Sequence, residues 1–79
     1  MNAQSMFKKL GYEYMFYDSI IHYFNEFELG EHHKMSVTFD KNSQTYVGLY
    51  KFNRKEVGLD ITPQIHKAIH QQMKELGWL

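Results

Sequence analysis

Cysteine is absent from these 79 residues, and proline and tryptophan occur only once each. Without thiols there is no disulfide framework, no thiol nucleophile and no thiolate metal site. Charge of one sign is lacking too. Nine basic and nine acidic side chains cancel, so no overall field attracts nucleic acid or an acidic membrane. No apolar run approaches the roughly 20 residues of a membrane-spanning helix, and no signal peptide opens the chain. The expectation is a soluble intracellular domain with no membrane partner. The five glycines are isolated from one another, which excludes a glycine-rich phosphate loop. Ser5, Ser19, Ser36 and Ser43 sit in no nucleophile-elbow context, and no spacing sets a nucleophile beside a base. A non-enzymatic protein without a cofactor is expected.

What is present is apolar and aromatic. Hydrophobic residues make up 43% of the chain and aromatics 16%, too much for a disordered tail. The length suits one small domain, residues 1–79, with a thin core and no room for a deep internal site.

The last eighteen residues carry the strongest pattern. Thr62 suits an N-cap, and Pro63 suits the first helical position, where a missing N–H costs nothing. Ile65, Ala68, Ile69, Met73 and Leu76 then form a stripe at helical period. Gly77 is a left-handed stop, with Trp78 placed to fold back on the last turn. A second, shorter helix is predicted over Ala3 to Leu10, capped by Asn2 and ended by Gly11. The endings Lys8-Lys9-Leu10-Gly11-Tyr12 and Lys74-Glu75-Leu76-Gly77-Trp78 echo each other, as two helices sharing one kind of stop.

Between the helices the period becomes twofold. Strands are predicted at Tyr12–Tyr17, Ile20–Phe27, Lys34–Phe39 and Thr45–Phe52. Asp18-Ser19 is a tight turn between the first two, Glu28–His33 a glycine-bearing link, and Asp40–Gln44 a turn rich in residues that bond their own backbone. Asn53–Glu56 reads as a polar link, and Val57–Ile61 as a short extended approach to the last helix. The fold class is therefore α+β in two layers: N-terminal helix, four-stranded antiparallel meander, C-terminal helix, both helices on one sheet face.

That arrangement leaves one sheet face without a covering element, although the strands are apolar on both sides. Tyr12, Tyr14 and Phe16 oppose Met15 and Tyr17; Tyr46, Tyr50 and Phe52 oppose Val47 and Leu49. An uncovered aromatic face suggests a contact surface, for another protein or for a second copy of the chain. Tyr14, Tyr46 and Tyr50 are its expected anchors, since tyrosine has an apolar body and a polar tip. The bland alternative is that the tyrosines merely widen a thin core.

Other functions have weaker signals. His66 and His70, one helical turn apart, have the spacing of two zinc ligands, but no third ligand is fixed by spacing, so no metal is expected. Lys51, Arg54 and Lys55 form a local basic cluster that could join the aromatics in binding single-stranded nucleic acid. Glu26, Glu28 and Glu31 offset it, and nucleic acid is the less favoured partner.

The two ends of the chain resemble small phage and prophage proteins of low-GC Gram-positive bacteria. The likeness rests on Ala3, Met6, Phe7, Leu10, Gly11 and Tyr12 at the start. At the end it rests on Ile61, Thr62, Ala68, Ile69, Gln72, Glu75, Leu76, Gly77 and Trp78. These are mostly caps and core, and the strands between match only in aromatic and turn character. The resemblance implies a phage-derived accessory protein in a bacterial cytoplasm and brings no catalytic residues with it.

Overall fold

A computed structural model describes all 79 residues. Helix α1 spans Ala3–Lys9 and helix α2 spans Pro63–Glu75. Asn2 Oδ1 accepts the Ser5 N–H at 2.8 Å, and Thr62 Oγ1 accepts the Ile65 N–H at 3.2 Å, each satisfying an amide that the helix leaves unpaired. The two C-termini share one device. Gly11 and Gly77 adopt φ of +90° and +76°, which turns the chain so that Tyr12 N–H reaches Phe7 O and Trp78 N–H reaches Met73 O. The aromatic clasp follows: the Tyr12 ring meets Phe7 edge-on at 5.7 Å, and Trp78 lies 6.2 Å from Phe39.

The sheet has five antiparallel strands in sequence order, rather than the four expected: β1 (Glu13–Tyr17), β2 (Ile20–Leu29), β3 (Glu31–Asp40), β4 (Thr45–Phe52) and β5 (Lys55–Gly58). Of the two segments read as polar links, the first lengthens β2 and β3 and the second supplies the extra strand. Glu28–His33 is mostly strand, because Gly30 at φ +76° reverses the chain sharply enough for Leu29 to pair with Glu31. Asn53 at φ +56° does the same between β4 and β5, and Phe52 pairs with Lys55. Asparagine tolerates this left-handed conformation better than most residues. The Asp18-Ser19 and Asp40–Gln44 turns form as expected, with Asp40 Oδ1 accepting the Asn42 N–H at 2.9 Å.

Directly paired residues point to the same face of a sheet. Ile21, Tyr23, Val37 and Phe39 share a face through the pairs Ile21–Phe39 and Tyr23–Val37. They form one buried cluster with Phe7 and Tyr12 and with Ile65, Ala68 and Ile69 of α2. Both helices therefore cover the same face. Phe7 is the hinge of this core: its ring stacks on Tyr23 at 3.9 Å and meets Phe39 edge-on at 6.4 Å. Burial of a side chain of this kind contributes roughly 1.5–3 kcal/mol.

Two polar contacts tie the layers together. The Tyr23 hydroxyl donates to Gln72 Oε1 at 2.5 Å inside the core, and the Ala3 N–H donates to Glu75 Oε2 at 2.7 Å. The second places a carboxylate of α2 at the positive end of α1. After β5 the chain crosses over β4 on its way to α2. Leu59 N–H bonds Gly48 O, and a Cβ at position 48 would lie 3.3 Å from Leu59 Cβ and 3.4 Å from Ile61 Cδ1. Glycine at this point is what lets the crossing segment lie close to the sheet. No helix is long and apolar enough to cross a membrane.

Candidate contact face of the sheet

The pairing register decides which set shares the helices' side of the sheet, and it is the tyrosine set, of which Tyr14 and Tyr46 are still about half exposed. Tyr14 pairs with Tyr23, Tyr46 with Phe39, and Tyr50 with Met35. All three anchors expected from the sequence therefore lie on the helix-bearing face, around the edge of the core. Tyr14 and Tyr46 extend it, with ring distances of 6.5 Å to Tyr23 and 5.6 Å to Phe39. Tyr50 belongs to a separate group, in which its hydroxyl is hydrogen-bonded to His33 Nδ1 at 2.8 Å. There the His33 ring stacks between Phe27 at 4.9 Å and Phe52 at 5.8 Å. Tyr14 and Tyr46 thus widen a thin core and at the same time remain 50% and 44% exposed.

The face free of helices carries the opposite set. Met15, Tyr17, Ile20, His22, Phe24, Val47 and Leu49 point to it by register, and Met15, Tyr17 and Val47 are each about half exposed. At its centre the rings of His22 and Phe24 stack at 5.4 Å, and His22 Nδ1 lies 2.7 Å from Thr38 Oγ1. Burial lowers the His22 pKa from its ordinary value; the nearby Lys34 charge lowers it further and Glu26 opposes both. A neutral imidazole is thus favoured there. Ser36, small and between Phe24 and Leu49 in the pairing, is buried beneath its neighbours.

The apolar zone gives way to charge toward the β2–β3 turn. Lys34 Nζ sits 5.4 Å from the centre of the Phe24 ring and 3.8 Å from Glu26 Oε1, and His32 Nε2 lies 3.5 Å from Glu26 Oε2. These are partly exposed pairs, so they add little stability. Their effect is to border an apolar patch with polar groups of both signs, the common anatomy of a contact surface.

The basic cluster expected from the sequence is divided. Lys51 is on the helix-free face opposite Glu56 and Lys34, Lys55 pairs with Phe52 on the helix-bearing face, and Arg54 occupies the turn. They do not form one stripe. His66 and His70 are both exposed on α2, and no three His, Asp or Glu side chains come together in a group able to hold a metal. Phe24, His22 and Val47 were not among the anchors expected from the sequence. The signal was available in the strand alternation, but not which alternation faced the helices.

No protein-family model matches this chain, and neither a curated protein nor a solved structure does.

Proposed function

We propose that this protein is a non-enzymatic interaction module that binds another protein through the helix-free face of its sheet. The carrying observation is that both helices lie on one face, leaving half-exposed Met15, Tyr17 and Val47 around His22 and Phe24 on the other. Exposed apolar patches bordered by polar groups are a common feature of protein contact sites. The resemblance of the chain ends to phage and prophage proteins supports a setting for it: an accessory protein acting in the cytoplasm of a low-GC Gram-positive host. Single-stranded nucleic acid is the alternative occupant, favoured by Lys34 lying against Phe24 and by Lys51 beside it on the same face.

The test is a tagged capture from host lysate, with and without nuclease, using the wild-type chain and a Val47→Glu, Leu49→Glu variant. A dominant protein retained after nuclease and lost from the variant is the expected result. Retention by the variant would refute the assignment of this face. Capture that disappears with nuclease and falls steeply with salt would favour the nucleic-acid reading instead.

A further inference from the structure

The two edges of the sheet are built very differently. Edge strand β5, Lys55–Gly58, has four residues, two of them charged and one glycine. That is how proteins keep an edge from pairing with another chain. Edge strand β1, Glu13–Tyr17, is less protected, with Glu13 as its one charge and Lys41 Nζ 4.6 Å from the centre of the Phe16 ring. After Glu13 it reads Tyr14-Met15-Phe16-Tyr17, without charge, proline or glycine, and all five residues are exposed. It pairs with β2 on one side only, and no other backbone hydrogen bond reaches it. Its outward amides and carbonyls are a template for another strand.

We propose that the occupant of this edge is β1 of a second copy, paired antiparallel about a two-fold axis at Met15. The sequence of the strand is complementary to itself in that register. On the helix-free face, Met15 meets its counterpart, and each Glu13 carboxylate faces a Tyr17 hydroxyl able to donate to it. On the helix-bearing face, Tyr14 meets Phe16 twice, a favourable cross-strand aromatic pair. No like charges are opposed. Shallow grooves of about 440 Å³ and 310 Å³ both border Tyr14, leaving space for the incoming Phe16 ring. The closed two-fold arrangement uses up both β1 edges and joins two five-stranded sheets into one continuous sheet. It also places the two helix-free faces side by side on that sheet.

The size of the contact sets its strength. Tyr14, Met15, Phe16 and Tyr17 are 50%, 51%, 59% and 53% exposed. At roughly 200 Å² for a large side chain, the strand offers about 400 Å² per copy, half of the ~800 Å² each partner gives to a standard interface. Gln4 and Lys8 of α1 stand beside Tyr14 and add to it. The dimer is therefore reversible and concentration-dependent.

Sedimentation of the wild-type chain should show a mass near twice 9.5 kDa at high concentration, returning to the monomer on dilution. Met15→Lys and Met15→Glu should each weaken association by more than about tenfold, because like charges then face each other at the axis. Mixing the two variants should restore a dimer. As a check independent of any variant, the amides of β1 in the wild-type chain should exchange more slowly as concentration rises. A wild-type chain that stays monomeric, single variants that dimerise as wild type does, or a mixture that stays monomeric would overturn the proposal. The Val47 and Leu49 changes used above lie on β4, away from this edge, so loss of partner capture and loss of self-association are separable.

Discussion

Two tyrosines show how much the surroundings of one hydroxyl decide. Tyr12 and Tyr23 are both buried against Phe7, yet only Tyr23 has a hydrogen-bond partner, since the Tyr12 hydroxyl is buried with none. Replacing each with phenylalanine should therefore move stability in opposite directions. Tyr23→Phe leaves the Gln72 carbonyl unpaired and should cost about 1–2 kcal/mol, whereas Tyr12→Phe removes a buried unpaired group and should gain about 1 kcal/mol. Denaturant unfolding of the two variants checks both signs. Tyr23 also makes stability depend on alkaline pH. Burial, and then the charges of Glu75 and Tyr14, raise its pKa from 10.0 to about 12. Between those values the unfolded chain has released the proton and the folded chain still holds it. Stability is thus complete below pH 10 and falls as pH rises toward about 12. The fall should be shallower in Tyr23→Phe, measured by thermal melts across that range. Gly48 is a third case. A valine there would press its methyl groups into Leu59 and Ile61, and overpacking of this kind should cost roughly 1–3 kcal/mol.

At the scale of elements, α2 is the part on which the others depend. Alone in water a helix of 13 residues is marginal, and its stability comes from Ile65, Ala68 and Ile69 in the shared cluster. Ile69→Ala should cost roughly 2–5 kcal/mol, a large share of what a domain of this size has. Thr62→Ala should cost only about 1 kcal/mol, because it removes one cap and leaves the buried stripe intact. Melting both variants tests whether packing, rather than capping, holds the helix. α1 is shorter still and is held at both ends by other elements: Glu75 of α2 accepts its first amide, and Phe7 is locked between Tyr23 and Phe39. The helices were legible in the sequence because their caps, stripes and stops are local features. The fifth strand was not. Lys55–Gly58 has no apolar alternation of its own, and it is a strand because the Asn53 turn returns it alongside β4.

On the scale of the whole molecule, the consequence of placing both helices together is a sheet with two unlike sides. Val47→Glu with Leu49→Glu should abolish partner capture while leaving the far-ultraviolet circular dichroism of the wild type, since these residues are outside the buried cluster. Met15→Lys, by contrast, acts at the β1 edge and should change the mass of the particle. If the two readings are separate, the face variant loses its partner and still self-associates.

Residue order alone determined the helix limits, the tight turns, the antiparallel alternation and the presence of an aromatic set on each side of the strands. Each follows from contacts within a few residues: a threonine hydroxyl with an amide three positions on, a glycine that can take positive φ, side chains that alternate by pleat. Only the tertiary structure decided that Tyr14, Tyr46 and Tyr50 share the helices' side of the sheet while Met15, Tyr17 and Val47 take the other. Both sets are apolar enough to be buried, so alternation is silent on the choice. It is settled by where Phe7 and the α2 stripe find a complementary surface, around Tyr23, Val37 and Phe39. Once β2 and β3 turn that side to the helices, the pleat carries every paired residue of β1 and β4 with it.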